Sequence, residues 1–248
     1  MSHFNGQGQT MYFRKSCIFD LDGTLCHGEG HTDVIDQFMQ RITLFASGIT
    51  RIEPGPDLRQ LLSLYYRKYG TTVRGLMEHY EADPTEANEF AINGIDYSVI
   101  PADPELAAAM ENGRRAGLDF GIFTASPRRH TDLVLGRLGV DPDLFNLGIF
   151  TADHVNFSPK VSVFGSMLSF MGIDTPRKAC MLEDTVKVAK AAKDAGMQAV
   201  LVTDDPQARE KHPFIDLAVS GVCSFLRTVT AARTRAGRQL YLPAVPGL

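Results

Sequence analysis

KSCIFDLDGTL, residues 15–25, is a short apolar run that ends in two aspartates and a glycine-containing turn. A run of this length bounded by turn residues is typical of a strand buried on both faces of a parallel sheet. Similar runs recur downstream: LDFGIFT (118–124), NLGIFT (146–151), KACMLED (178–184), QAVLVTD (198–204) and the weaker DLAVS (216–220). The sequence therefore predicts five or six parallel strands.

Helical patterns separate many of these runs. They follow Thr124, Lys160 and Asp184, and each places apolar residues at helical spacing. Alternation of strand and helix implies right-handed crossovers that cover both faces of one sheet. We therefore expect an α/β protein with a doubly wound, parallel, Rossmann-like sheet.

One interval interrupts the alternation, because roughly 90 residues between the first and second runs contain no convincing strand. The candidate helices there are residues 33–47, 56–70, 72–81 and 84–94, with breaks at Gly70, Asp83 to Pro84, and Asn93 to Gly94. An inserted helical domain explains this pattern. We predict a core formed by residues 12–27 and 103–248 and a helical domain at 28–102.

Composition excludes some partners and environments. The formal net charge of −4 gives no general electrostatic reason to bind a nucleic acid polymer or an anionic membrane. No apolar run has signal-peptide or membrane-spanning length. Four cysteines without a CxxC pair are typical of reduced, mostly buried thiols. We expect a cytoplasmic protein, and the oligomeric state stays open.

Acidic residues follow two of the predicted strands. Asp20 and Asp22 follow the first strand, and Glu183 and Asp184 follow the strand near Leu182. If these strands are neighbours, the carboxylates converge, and two like charges ~4 Å apart repel by about 4 kcal/mol at an effective dielectric of 20. Oxygen ligands without His or Cys favour Mg²⁺. The alternative is that such acids form turns or cap helices, as Asp184 before Thr185 could.

The turn itself offers backbone donors. The amides of Leu21, Gly23 and Thr24 lie in a tight turn after a strand, where exposed N–H groups can receive phosphate oxygens. A small phosphorylated metabolite is therefore the expected ligand.

The motif DxDGT at Asp20 to Thr24, Thr124 in GIFTAS, and the acid pair of LEDT (182–185) together resemble the haloacid-dehalogenase-like phosphatase superfamily. A helical insert between the first two motifs matches the cap position of its first subfamily. The resemblance implies that Asp20 attacks phosphorus to form an aspartyl phosphate. It implies that Asp22 protonates the leaving oxygen and then deprotonates the attacking water.

The resemblance also implies the remaining ligands. Phosphate would contact Thr124, the amide of Ala125, and also Gly23, Thr24 and Ser126; Mg²⁺ would be held by Asp20, Asp22, Glu183 and Asp184. A positive charge from Mg²⁺ and a lysine would neutralise the approach of a carboxylate to a phosphate dianion. Asp22 favours phosphate over halide chemistry, since the carbon–halogen hydrolases of this superfamily lack an acid there.

A narrower resemblance concerns the pyrimidine 5'-nucleotidase branch. It rests on YYRKYGTTVRGL (65–76), HTDLVLGRLGVDPDLF (130–145) and LEDTVKVAKAAKDAGM (182–197). In that branch the cap closes over a nucleoside monophosphate, which makes Tyr66, Tyr69 and Arg74 candidate substrate contacts. The alternative is that the leucines and tyrosines of this segment form an ordinary packed helix face.

Two positions depart from the branch pattern, and one histidine matches it. Ala125 stands where Asn is common, and Ser158-Pro159-Lys160 stands where Lys-Pro is usual, so the lysine falls two residues late. Lys160 can still reach the phosphate because its stem is long, and Lys187 is a second candidate; a solvated surface role is the alternative for both. His130 matches a position that is often His in the branch, or it is a helix residue satisfied by nearby backbone.

The sequence therefore predicts a Mg²⁺-dependent phosphomonoester hydrolase, with a nucleoside 5'-monophosphate as the preferred substrate. A sugar-phosphate or phosphoglycolate phosphatase is the related alternative. A catalytically weakened binding or regulatory module is the third hypothesis, motivated by the displaced lysine and the missing Asn.

Overall fold

The computed structural model describes residues 15–240 and the short segments 3–4 and 10–11, with side chains from residue 15 to residue 231. The predicted core boundaries at residue 12 and residue 248 lie outside this part of the chain. Two short antiparallel strands, β1 (His3–Phe4) and β2 (Thr10–Met11), pair with each other.

A six-stranded parallel sheet forms the centre of the structure, in the order β5-β4-β3-β6-β7-β8. Its strands are β3 (Ser16–Phe19), β4 (Asp119–Phe123), β5 (Gly148–Phe150), β6 (Ala179–Glu183), β7 (Gln198–Val202) and β8 (Leu217–Val219). Each strand lies within one of the six runs chosen from the sequence. The predicted doubly wound α/β sheet is confirmed.

The central strand β3 lies at the switch point of the sheet. The chain runs outward from β3 to β4 and β5, then crosses to the other side of β3 and continues through β6, β7 and β8. Phe19 is in register with Ile122 of β4 and with Leu182 of β6. The residues that follow these positions meet at one edge, where ligands bind in open α/β sheets.

Both faces of the sheet are covered. Alternate strand residues enter two buried clusters, one containing Cys17, Phe19 and Leu182, the other containing Ile18 and Met181. Helices supply the rest of both clusters: α5 (Pro104–Arg115), α6 (Arg128–Leu138) and α10 (Val222–Leu240) on the first face, and α7 (Phe164–Phe170) and α8 (Val186–Asp194) on the second. A short helix, α9 (Ala208–Lys211), precedes β8.

Four helices fill the interval between β3 and β4: α1 (Glu29–Thr50), α2 (Pro56–Tyr69), α3 (Thr72–Tyr80) and α4 (Pro84–Ile92). We call α1 to α4 the helical unit. Local sequence explains its boundaries, because Gly70 ends α2 in the left-handed conformation and Asp83 caps α4 by accepting from Glu86 N at 3.0 Å. Thr71 caps α3 in the same way, accepting from Arg74 N at 3.1 Å. In the described residues, no helix is both long and apolar enough to span a membrane.

The helical unit has a core of its own. Its buried residues are Ile42, Ala46, Leu58, Leu62, Tyr65, Val73, Leu76 and Ala87. Helices α2 and α3 lie in close contact at Gly75, where a Cβ would lie 2.3 Å from the Cβ of Tyr65. Only a residue without a side chain fits there.

Gly75→Ala should therefore destabilise the protein. The added methyl must push α3 away from Tyr65, and overpacking of this kind costs about 1–3 kcal/mol. Gly136→Ala is the matched control, because Gly136 also lies in a helix but has no atom within 4 Å of its Cβ position. Thermal denaturation should give a lower Tm for Gly75→Ala and an equal or higher Tm for Gly136→Ala. Equal Tm values for the two variants would contradict the close approach.

Candidate active site

Asp20 and Glu183 stand side by side at the switch point. Asp20 directly follows β3 and Glu183 ends β6, and the backbone amide of Asp20 donates to Leu182 O at 3.0 Å. The ammonium of Lys160 lies between the two carboxylates, 2.7 Å from Asp20 Oδ1 and 2.6 Å from Glu183 Oε2. All three side chains are buried. The strand register thus creates a pair of like charges, and Lys160 partly neutralises it.

Burial and the neighbouring charges together set the pKa values of Asp20 and Lys160. Burial and the negative charge of Glu183 raise the pKa of Asp20 well above its ordinary value, although Lys160 opposes the shift. Burial would lower the pKa of Lys160, but the charges of Asp20 and Glu183 outweigh it and raise that pKa. Lys160 therefore favours the ionised form of Asp20, whereas burial and Glu183 favour its protonated form.

Lys160 reaches this position from a short 3₁₀ turn, Lys160–Ser162, rather than from the first turn of α7. Its ammonium also lies 5.1 Å from the centre of the Phe123 ring. Lys187, the second candidate, is exposed on α8. Of the two lysines, Lys160 is the one in contact with the acids.

Asp184 is the third carboxylate of the group. One oxygen from each of Asp20, Glu183 and Asp184 lies within 4.8 Å of the others. Asp184 does not cap α8, since Thr185 is the N-cap residue. Burial, followed by a hydrogen bond and the charge of Glu183, raises the pKa of Asp184 to about 6.

The donor set of this group fits Mg²⁺. It consists of carboxylate oxygens without His or Cys, which is what a hard divalent cation prefers. A cation would also relieve the charge repulsion that raises the pKa of Asp20 and Asp184. Three of the four predicted metal ligands, Asp20, Glu183 and Asp184, therefore come together.

The side chain of Asp22 does not join them. Ser126 Oγ donates to its Oδ2 at 2.6 Å, and His130 Nε2 lies 3.0 Å from its Oδ1, with His31 Nε2 at 3.4 Å from the same oxygen. Burial would raise the pKa of Asp22, but the charge and hydrogen bond of His130, aided by His31 and Ser126, lower it. The predicted role of the Asp22 side chain as a metal ligand thus has no support in the geometry, whereas its carboxylate is held firmly near Asp20.

The turn after β3 uses the backbone donors that were expected to bind phosphate. The amide of Gly23 donates to Cys26 O at 2.8 Å, and that of Thr24 donates to Leu21 O at 3.3 Å. Hydrogen bonds within the turn thus occupy these N–H groups, and the predicted phosphate contacts at Gly23 and Thr24 stay predictions. The buried Thr24 hydroxyl has no hydrogen-bond partner in the described residues.

Gly23 has a different importance. It adopts φ +85°, and a Cβ there would lie 2.3 Å from Asp184 Oδ2. The position needs glycine both for its backbone conformation and for the approach of the Asp184 carboxylate.

Thr124 directly follows β4, the neighbour of β3, and is buried. Its hydroxyl oxygen accepts from the amide of Ser126 at 3.0 Å, so this bond does not use the hydroxyl proton. The Ser126 hydroxyl, predicted to contact substrate, instead donates to Asp22. Thr124, Ala125 and Ser126 therefore form a loop beside both aspartates.

The three predicted substrate contacts in the helical unit, Tyr66, Tyr69 and Arg74, differ in exposure and in the residues they contact. Tyr66 is 60% exposed, and desolvation, followed by the charges of Asp184 and Glu183, raises its pKa, so its hydroxyl faces the acids. Tyr69 is partly buried in the core of the unit, with its hydroxyl 2.8 Å from His79 Nε2. Arg74 pairs with Glu78 at 2.5 Å and donates to Asn156 O at 3.2 Å. Of the three, Tyr66 is the exposed one, and the charges of the site's acids contribute to the shift of its pKa.

Sequence reasoning missed two residues near Asp22. His31 lies in the first turn of α1, and Tyr97 lies in a 3₁₀ turn, Tyr97–Val99, between the helical unit and α5. Tyr97 reaches Asp22 through His130. Neither residue belongs to a recognisable motif, and only the number of histidines near the first motif offered a signal.

Comparison with known proteins places this geometry in a family. Residues 15–196 match the family model for haloacid dehalogenase-like hydrolases. The chain belongs to this family. The match includes β3 to β6 and hence all the acidic residues of the site.

Relatives within the family differ in chemistry. The chain is 28% identical over 195 residues to an N-acetylmuramic acid 6-phosphate phosphatase of Pseudomonas aeruginosa, covering 76% of this chain and 81% of the relative. It resembles the structure of a HAD phosphatase from Thermococcus onnurineus, with a TM-score of 0.59 and 20% identity. The match covers 87% of this chain and 97% of that phosphatase. It also resembles the structure of an L-2-haloacid dehalogenase from Xanthobacter autotrophicus, with a TM-score of 0.52 and 16% identity. That match covers 88% of this chain and 98% of the dehalogenase. These two structural likenesses show the fold alone.

We expect Mg²⁺ to stabilise the protein more at about pH 7.5 than at about pH 5. The raised pKa of Asp184, about 6 against an ordinary 3.8, means that the folded state holds this proton more tightly than the unfolded state. The contribution of this group to stability is therefore present below its ordinary pKa and is lost as pH rises to about 6. Mg²⁺ binds the ionised form and offsets that loss.

Thermal denaturation with and without Mg²⁺ at the two pH values measures this effect. Asp184→Asn should reduce the Mg²⁺-induced rise in Tm at about pH 7.5. Asp194→Asn is the control, since Asp194 is an exposed carboxylate paired with Lys190 at 2.5 Å. An identical Mg²⁺ response in the wild type at both pH values would contradict the assignment.

Proposed function

We propose that the protein hydrolyses phosphomonoesters of small metabolites, with Asp20 as the nucleophile. The observation that carries the proposal is the separation of two aspartates into different environments. Asp20 lies with Lys160 and two further acids, whereas Asp22 lies with hydroxyl and imidazole groups. One carboxylate is placed to attack and the other to exchange protons.

In the first step, an oxygen of Asp20 attacks phosphorus, and the bond from phosphorus to the leaving oxygen breaks. Lys160 offsets the negative charge that gathers as carboxylate and phosphate approach. Mg²⁺ held by Asp20, Glu183 and Asp184 would supply further charge neutralisation when bound. The Thr124 hydroxyl proton is available to a phosphoryl oxygen.

Asp22 completes both steps. A bound phosphate dianion would oppose the lowering of the Asp22 pKa and favour its carboxylic acid form, which gives its proton to the leaving oxygen, so that the leaving group departs as an alcohol. As a carboxylate Asp22 then takes a proton from water, whose oxygen attacks phosphorus and releases Asp20 and inorganic phosphate. Ser126 and His130 hold Asp22 during this cycle.

The substrate class is better supported as a sugar phosphate than as a nucleotide. The nucleotide hypothesis relied on Tyr66, Tyr69 and Arg74, and two of these three are engaged in contacts within the protein. The relative from Pseudomonas aeruginosa is a phosphatase of an amino sugar phosphate. We therefore place sugar phosphates first and nucleoside 5'-monophosphates second.

We also propose that the helical unit serves as the cap of the predicted domain division. Its contacts with the sheet side support this role: Arg74 donates to Asn156 O, and Arg129 pairs with Glu89 and donates to Asn93 Oδ1 at 2.6 Å. The binding-module hypothesis loses its main motive, because the displaced Lys160 contacts Asp20 directly. A cytoplasmic location stays a prediction.

Asp20→Asn should abolish Mg²⁺-dependent phosphate release, since an amide cannot form the covalent intermediate. The loss expected is at least about 10³-fold for a covalent nucleophile. Release of inorganic phosphate from a panel of sugar phosphates, nucleoside 5'-monophosphates and phosphoglycolate provides the measurement. Asp216→Asn, at a carboxylate that pairs with Lys193 away from the site, is the control. Undiminished turnover by Asp20→Asn, or turnover without a divalent cation, would reject the proposal.

The same panel tests the substrate class. Sugar phosphates should show the highest kcat/KM, with nucleoside monophosphates lower. The opposite order, together with a selective loss of nucleotide turnover in Arg74→Ala, would restore the nucleotide assignment.

Lys160→Met should reduce kcat by about 10²–10³-fold, because it removes a preorganised charge beside the nucleophile. Lys187→Met, at the exposed lysine of α8, should leave kcat within about 2-fold of wild type. A larger loss in Lys187→Met than in Lys160→Met would reverse the assignment of the two lysines. Circular dichroism verifies that both variants are folded.

A further inference from the structure

A buried line of side chains leads away from Asp22. His130 Nε2 lies 3.0 Å from Asp22 Oδ1, and its Nδ1 lies 2.8 Å from the hydroxyl of Tyr97. His130 is 4% exposed and Tyr97 is 8% exposed, so water does not compete for these contacts. Tyr97 takes no part in the two chemical steps in which Asp22 exchanges protons.

When the His130 imidazole is neutral, its contacts favour one of the two tautomers. A carboxylate can only accept, so Nε2 carries the proton that faces Asp22, and Nδ1 accepts from the Tyr97 hydroxyl. When Asp22 is a carboxylic acid, its proton can be donated to Nε2, and Tyr97 can accept from Nδ1–H instead. A hydroxyl is suited to this place because it both donates and accepts.

Tyr97 is itself held from two sides. Its turn begins at Asp96, whose amide donates to Gln37 Oε1 of α1 at 2.8 Å. From the other side, Arg137 of α6 donates to Ser98 O at 3.0 Å. The hydroxyl therefore has a defined position relative to α6, which also carries His130.

We propose that His130 and Tyr97 are positioning residues for Asp22, fixing the orientation of its carboxylate for proton transfer. This inference rests on the proposed function of Asp22. Ser126 holds Oδ2 and His130 holds Oδ1, so the carboxylate cannot rotate without breaking a hydrogen bond. Tyr97 acts through His130: by donating to Nδ1 it stabilises the tautomer whose Nε2–H donates to Asp22.

Leaving-group chemistry distinguishes this role from general structural support. Phenyl phosphate and 4-nitrophenyl phosphate have similar size, but nitrophenolate is a much weaker base and departs without a proton. The value of kcat/KM reports the steps up to formation of the aspartyl phosphate, in which Asp22 acts as the acid. Loss of Asp22 positioning should therefore affect phenyl phosphate much more than 4-nitrophenyl phosphate.

For His130→Leu we expect kcat/KM to fall about 10–100-fold with phenyl phosphate and by less than about 3-fold with 4-nitrophenyl phosphate. Tyr97→Phe should show the same selectivity at about 3–10-fold, since it removes only the group that orients the imidazole. His130→Gln keeps an N–H donor and should recover part of the loss. Tyr80→Phe is the matched control, because Tyr80 lies at the exposed end of α3.

A second measurement does not depend on turnover. Nitrogen-15 chemical shifts of the His130 ring should show the Nε2–H tautomer in the wild type and a mixture of tautomers in Tyr97→Phe. This readout also serves if a His130 variant is poorly folded.

The outcomes are distinct. Equal losses with both phosphates, or no loss in Tyr97→Phe together with an unchanged tautomer, would overturn the positioning role and leave the proposed function intact. No phosphate release by the wild-type protein from any substrate would overturn both.

Discussion

The mutual repulsion of carboxylates at the switch point is the constraint on which the site depends. Parallel register places the buried carboxylate of Asp20 beside that of Glu183, a pair that needs compensation, and the exposed Asp184 completes the group. Lys160 provides part of that compensation from a loop far along the chain. The remaining negative charge favours binding of a divalent cation. Without that cation the same charge would repel a phosphate dianion, so the proposed chemistry requires the cation.

The sheet could be predicted because its strands are buried on both faces. Continuous apolar runs that end in acids indicate both a parallel strand and the edge where its functional residue lies, so five or six strands could be predicted from the sequence. The meeting of Asp20 with Glu183 was conditional on their strands being neighbours, which only the structure shows. The helical unit was equally visible, since Gly70 and Asp83 mark helix ends by local chemistry. These features depend on short stretches of sequence.

Other features depend on contacts between distant segments, and sequence reasoning handled them less well. The Gly23 and Thr24 amides were taken for ligand donors, whereas the turn itself uses them. Tyr69 and Arg74 belong to a segment whose pattern fits both substrate contacts and helix packing, and only tertiary contacts separate the two. Lys160 was foreseen despite its shift, because an ammonium on a flexible stem needs proximity rather than a strict backbone position.

Gly23 brings the first motif into contact with the later acid pair, which lies far away in the sequence. The carboxylate of Asp184 lies where a side chain at position 23 would otherwise be. The first motif and the later acid pair are therefore one steric unit as well as one electrostatic unit. A side chain at position 23 fits only if the carboxylate at position 184 moves away or is replaced by a smaller group, so the identity of the first motif's glycine depends on the distant aspartate.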